Sequence, residues 1–364
     1  MKKYKILIKT KDFANDYAKR EIKEYFKGKI NSISKGFFFI NFNFGDEEKL
    51  FNFVYKLYFF SRVIENIYLE IINFRNEDFE NLKKEDLSFI SKSLSFEVDA
   101  LKSYKFDHKK AEKKFGELIL FFSYDLRVDL KNYDISFKLF TENLISYLAI
   151  DLIGFILTKR DYKLNFGSTS INSIVPNYCF YLLELDKAKV KYSLIDPCSG
   201  FGDVIIESVL FNPRTQNHFK KRFDLSIKKL FNFKIENYNI EKSKNNFYSI
   251  VQNNKIFKLQ KENIAYSSTS IKLSQFEIDW LDVKFKEEQI DYLITHIPEI
   301  HDEKEREKFL KEFFYQIEFM IKKKYCVISK KEIDLIYFKK NKLKIKINEK
   351  IFIGNQKYII YVFK

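Results

Sequence analysis

Glycine and proline punctuate a chain, and here they are scarce: nine glycines and four prolines in 364 residues. Two of those glycines and one of those prolines fall between Pro197 and Gly202, inside LIDPCSGFGDVIIES (Leu194–Ser208). The apolar run before the turn reads as a strand and the run after it as a helix. In a doubly wound sheet, ligands bind at the carboxyl ends of the strands, where the strand order reverses. A turn there must bring main chain close to the ligand, and a residue without Cβ permits that, which gives Gly200 and Gly202 a physical role. A helix starting near Asp203 points its amide end at the same place and favours a negative or polar group. Asp196, ending the strand, is positioned to accept a hydrogen bond from a ligand amine or hydroxyl. The pattern D-x-x-x-G-x-G lacks the third glycine of the dinucleotide fingerprint. A tight turn without a ligand is the competing reading.

Alternation and helical spacing place the other elements. KYKILIKT reads as a strand, residues 12–27 as a helix, GKINSISKGFFFINFNFG as two strands around Lys35–Gly36, residues 47–63 as a helix capped by Asp46, and NIYLEIINF as a strand. Strand, helix, two strands, helix, strand is the order of a ferredoxin-like split βαβ unit. A polar helix over 76–93 then leads into a second α+β unit: the strand LSFEVDALKS, a helix over 106–123 with Asp107 as its cap, and strands through residue 154. GSTSINS (Gly167–Ser173) reads as a linker. From about Val175 strands and helices alternate, and the chain closes on a hairpin around Gly354–Asn355. The fold class expected is α/β plus α+β: a mainly parallel sheet closed by an antiparallel hairpin, preceded by two smaller α+β units.

The formal net charge is +15, which fits a polyanionic partner. A lysine-rich proteome gives the same charge without one. Three dispersed cysteines, Cys179, Cys198 and Cys326, argue against a disulfide framework and for a reducing cytoplasm. No apolar run approaches the roughly 20 residues needed to span a bilayer, and the N-terminal stretch lacks the apolar core of a signal peptide. The expected location is cytoplasmic, with no membrane partner. His296 and His301 with Glu299 are too sparse a set to assign a metal.

DPCSGFGDVIIES resembles the D-P-[CMF]-C-G-S-G-T-x-x-I-E-A signature of THUMP-domain RNA methyltransferases. Asp196, Pro197, Cys198, Gly200, Gly202, Ile206 and Glu207 match it, whereas Ser199, Phe201 and Asp203 depart. AIDLIGFILTKRDYKL (149–164) is similar to the end of the THUMP domain. KLYFFSRVIENIYLEI resembles the N-terminal domain of the archaeal tRNA guanine-N2 branch. The resemblance implies three parts: a ferredoxin-like domain (1–75), a THUMP RNA-binding domain (76–165) and a seven-stranded Rossmann-like methyltransferase domain (166–364). It implies S-adenosylmethionine as cofactor, tRNA as partner, and guanine N2 as the methylated atom. The residues implied at the cofactor are Asp196, Pro197, Cys198, Ser199, Gly200, Gly202, Asp203, Asn253, Glu277 and Asp279. Lys102, Lys105, Lys109, Lys110, Lys159 and Arg160, at expected surface turns, are the candidate RNA contacts.

Two slots depart from the family pattern. The acidic residue that holds the cofactor ribose aligns with Val251, which cannot accept a hydroxyl hydrogen bond. Asn253 offers one instead, at a cost of about 1.5–3 kcal/mol in binding. The motif [ND]-P-P-[YF], which accepts hydrogen bonds from the target amine and stacks the base, is replaced by His296, Ile297, Pro298 and Glu299. Neutral histidine and the Ile297 carbonyl can accept, but Glu299 has no aromatic face. Three readings stay open: a working variant, a decayed site in a tRNA-binding protein, and a turn without a role. Methylation of DNA adenine is a further alternative, because the base-amine motif is shared with such enzymes.

Overall fold

The computed structural model describes residues 3–363 except 44, 76–81, 91–92, 124, 212–225, 232–242, 252, 268–272, 277–288 and 341–342. The chain divides into two compact units, Met1–Leu157 with Lys221–Tyr238, and Thr158–Lys220 with Asn239–Lys364.

The first unit contains β1 (Lys3–Lys9), α1 (Asn15–Tyr25), β2 (Asn31–Ser34), β3 (Phe37–Asn43), α2 (Glu47–Phe60), β4 (Asn66–Phe74), β5 (Leu94–Ala100), α3 (His108–Phe122), β6 (Leu126–Val128), β7 (Ile135–Glu142) and β8 (Ile145–Asp151). One sheet runs β2-β3-β1-β4-β8-β7-β5-β6. Its first four strands have the order of a split βαβ unit, with β1 antiparallel to both β3 and β4. Ile6, Leu7 and Ile8 are fully buried, as a central strand covered on both faces requires. Antiparallel pairing of β4 with β8 joins this half to the second one, so the two α+β units read from the sequence share a single sheet.

Two helix starts that look alike in sequence differ in structure. Asp107 caps α3 by accepting a hydrogen bond from the Lys110 amide at 3.0 Å. Asp46 occupies the cap position of α2 without such a bond, and its carboxylate pairs with Lys49 at 2.7 Å. The polar helix expected over 76–93 is absent from the described part of that stretch. It holds one 3-10 turn, Lys84–Asp86, and buries Leu87 and Ile90 from a loop.

The second unit contains α4 (Ile174–Leu182), β9 (Ser193–Asp196), α5 (Asp203–Phe211), β10 (Asn246–Ile250), α7 (Asn254–Tyr266), β11 (Leu273–Phe276), β12 (Ile290–His296), α8 (Glu303–Met320), β13 (Ile321–Ser329), α9 (Leu335–Lys340), β14 (Ile345–Ile353) and β15 (Gln356–Phe363). A further short helix, α6 (Ser226–Phe231), belongs to the first unit. The order is β11-β10-β9-β12-β13-β15-β14. Strands β9 to β13 run parallel, and β15 inserts antiparallel beside β13. This is the seven-stranded Rossmann-like sheet expected, closed by a hairpin whose turn residue Gly354 has φ +58°. Strand order reverses at β9, flanked by β10 and β12, so the glycine turn sits at the switch point. Among the described residues no helix is long and apolar enough to cross a membrane.

Candidate active site

The site is built from the carboxyl ends of β9, β10 and β12. Gly200 has φ +48° and Gly202 φ +91°, conformations that L side chains rarely adopt. The two face different neighbours. A Cβ on Gly200 would lie 3.1 Å from Thr169 Oγ1, at a cavity of about 140 Å³. A Cβ on Gly202 would meet Gln260 Cγ at 3.1 Å and Ile206 Cδ1 at 3.3 Å, so its freedom serves packing against α7 and α5. Gln260 in turn fixes the turn: its Nε2 donates to Ser199 Oγ (2.9 Å) and to the Gly200 carbonyl (3.2 Å), while its Oε1 accepts from Ser249.

Pro197, Cys198, Ser199 and Gly200 wall the cavity from β9, and Ile250, Val251, Asn253 and Ile256 wall it from β10 and α7. Asp196 lies beneath the turn, buried, and accepts a hydrogen bond from Thr295 Oγ1 at 2.6 Å. Burial pushes its carboxyl up to about 7, against hydrogen bonds from Thr295, Ser199 and the Cys198 amide. Asp203 is also buried. It accepts from the Ile171 amide and pairs with Lys163, which also donates to the Ile171 carbonyl. These contacts tie down residues 167–173, so the expected linker is a packed segment of the second unit, and its Thr169 reaches the cavity. Asn253 uses its side-chain oxygen to cap α7 through the Ile256 amide, which leaves its NH2 group as the donor toward the cavity. Glu277 and Asp279 lie outside the described residues.

At the end of β12, His296 is buried and lines the same cavity with Pro298 and Phe309. Its Nδ1 lies 3.3 Å from the Thr169 carbonyl. A carbonyl only accepts, so Nδ1 carries the proton and Nε2 the lone pair. Nε2 is buried and has no partner among the described residues, and the same holds for Thr169 Oγ1. Burial lowers the imidazole to about 4, which keeps the ring neutral. The Ile297 amide donates to the Ile328 carbonyl. Glu299 turns away into an ion pair with Lys330 at 2.9 Å, which holds its carboxyl below the usual range.

Arg160 is corrected by the structure. It is buried against Glu207, Nε to Oε1 2.9 Å, and is not a surface contact. Tyr162 Oη and Asn177 Nδ2 donate to the same carboxylate. Desolvation of two charges is offset only when they pair, and Glu207 comes 47 residues later in the chain. Lys102, Lys105, Lys109 and Lys110 are exposed on the first unit, and Lys159 is exposed on the second. Thr169, Gln260, Thr295 and Phe309 escaped the sequence reading. Thr169 was masked by a polar stretch that resembles a linker, and Phe309 by the abundance of aromatic residues.

A mainly parallel seven-stranded sheet with a glycine turn at its switch point and a cavity at the carboxyl ends of its strands defines a Rossmann-like, ligand-binding domain. Residues 160–357 match the family UPF0020, described as RMKL-like, methyltransferase domain, and the chain belongs to this family. No curated protein matches the sequence. Among solved structures, the fold is similar to that of a possible methylase from Clostridium difficile 630 (19% identity, TM-score 0.75, 100% of this chain and 98% of that one). It is similar to SMU.472 complexed with SAH (14%, 0.76, 100% and 98%). It is also similar to TrmN from Thermus thermophilus (15%, 0.66, 99% of each).

Proposed function

We propose that the chain is an S-adenosylmethionine-dependent methyltransferase acting on RNA, with guanine N2 of a tRNA as the target amine. The observation that carries this reading is the unpartnered His296 Nε2 in the cavity beside Gly200. The cavity suits the cofactor: Ile250, Val251 and Ile256 give an apolar slot for an adenine, and Gly200 leaves main chain bare where a side chain would intrude. Thr169 Oγ1, beside Gly200, has unused hydrogen-bonding capacity in the cavity. Once bound, the cofactor supplies an electrophilic methyl group.

The chain's own residues position the acceptor. Nε2 of His296 accepts one N–H of the amine, the Ile297 carbonyl accepts the other, and the nitrogen lone pair is thereby aimed at the methyl group. Phe309, half-buried beside Pro298, provides the apolar face that Glu299 lacks. The net charge, the exposed lysines of the first unit and the resemblance of residues 76–165 to a THUMP domain support tRNA as the substrate.

Two measurements test this. Calorimetry is expected to show S-adenosylmethionine binding, and labelled methyl groups are expected to enter bulk tRNA as N2-methylguanine. Label in another base moves the assignment to that base. The replacements at Val251 and Glu299 favour one second reading, an inactive tRNA-binding protein. Absence of cofactor binding together with retained tRNA binding would establish it.

A further inference from the structure

The Thr169 carbonyl fixes the tautomer of His296, so the contacts that hold Thr169 bear on the nitrogen that faces the cavity. The segment carrying Thr169 is anchored at both ends. The Asn165 amide donates to Asn263 Oδ1 on α7 at 2.9 Å, and the Ile171 amide donates to Asp203 Oδ2 at 2.9 Å. Between these anchors Gly167–Ser170 forms a turn. The Ser170 amide donates to the Gly167 carbonyl at 3.0 Å, and the Gly167 amide donates to Ser170 Oγ at 3.2 Å. The two middle residues present carbonyls with one partner each among the described residues. Thr169 meets His296 Nδ1, and Ser168 accepts from Lys330 Nζ at 3.3 Å.

Lys330 reaches the turn from a fixed strand end. The Ile328 carbonyl accepts from the Ile297 amide at 3.0 Å, and buried Ser329 donates its hydroxyl to the Lys331 carbonyl at 2.6 Å. The Lys330 ammonium also pairs with Glu299 Oε1 at 2.9 Å. One ammonium thus ties the turn before α4 to the loop after β12, and its several donors serve both contacts at once. A lysine stem is flexible, and the carboxylate limits where its head settles. Without an acceptor at Nδ1, a neutral imidazole is free to carry its proton on either nitrogen. The Nε2–H form presents a donor to the cavity in place of a lone pair.

We infer that Lys330 is a positioning residue for His296: held by Glu299, it sets the Ser168–Thr169 carbonyls so that Nδ1 keeps the proton and Nε2 the lone pair. Glu299 then serves the site through Lys330 and not through a stacking face. The effect on the imidazole stands apart from any reaction, whereas the effect on rate rests on the methyltransferase reading.

Nitrogen NMR of the full chain with isotope-labelled histidine reads the tautomer directly. The sequence has four histidines, and the signals lost in His296→Asn identify those of His296. The parent is expected to hold the Nδ1–H form. Lys330→Met is expected to shift the ring toward the Nε2–H form, and Lys330→Arg, which keeps a cation and donors, to restore it. Glu299→Ala, at an exposed position, is expected to shift the ring the same way and keeps the test valid if Lys330→Met does not fold. With bulk tRNA, Lys330→Met should lower kcat by about 3–10-fold, following the population of the competent tautomer, with KM unchanged. An unchanged Nδ1–H form in folded Lys330→Met overturns the assignment, as does a parent already in the Nε2–H form. The same result confined to folded Glu299→Ala removes the carboxylate from it. A raised KM with kcat unchanged overturns it too, and gives Lys330 to substrate binding. If the parent transfers no methyl group while the variants still shift the ring, the positioning role stands and only the methyltransferase reading falls.

Discussion

His296 stands where the sequence departs from the [ND]-P-P-[YF] motif it resembles, and its chemistry is set by the Thr169 carbonyl and by burial. The imidazole is neutral down to about 4, so the acid limb of methyl transfer is expected near that pH and not near 6.5. If Nε2 accepts from the target amine as proposed, His296→Ala should lower kcat by about tenfold or more through loss of that hydrogen bond, and His296→Asn should retain most of it. An acid limb at about 6–7 that His296→Asn abolishes would show that the imidazole titrates in the ordinary histidine range and is not held neutral by burial. Asp196 carries a separate signature. The folded state keeps its proton up to about 7, whereas the unfolded chain releases it near 3.8, so stability falls as pH rises between those values. In urea unfolding, Asp196→Asn should exceed the parent by about 1–3 kcal/mol at pH 8, the difference closing toward pH 4.

Helix starts show how far local sequence specifies an element. Both Asp46 and Asp107 precede helical runs, yet only Asp107 meets an orphan amide. Asp107→Ala should destabilise the fold by about 1 kcal/mol and Asp46→Ala by less than half of that, since the Lys49 pair is exposed. Equal shifts in thermal melts of the two variants would contradict the distinction. The same limit explains the polar stretch before β5. Its spacing suits a helix, but Leu87 and Ile90 find burial from a turn, and tertiary contact overrides propensity.

The buried carboxylate of Glu207 gathers Arg160 and Tyr162 from one earlier stretch of the second unit and Asn177 from α4. Glu207→Gln keeps the shape but removes the charge that balances a fully buried guanidinium, and should cost about 3–5 kcal/mol in denaturant unfolding. A loss below about 1 kcal/mol would show that Arg160 is neutralised elsewhere. Neighbouring Lys159 and Arg160 look equivalent in sequence, as a basic pair after an apolar run. One is exposed and one buried, and Glu207, distant in the chain, pairs with the buried one.

Alternation, helical spacing and the rare glycines determined most of the strand and helix order, the mainly parallel sheet with its closing hairpin and the place of the glycine turn, because each is written in residues close together in the chain. Tertiary structure alone decided that Gly200 faces the cavity and Gly202 faces Gln260, that Thr169 belongs to the site, and which nitrogen of His296 holds the lone pair. Those properties depend on atoms brought together from positions far apart, and no local pattern encodes which distant atom arrives.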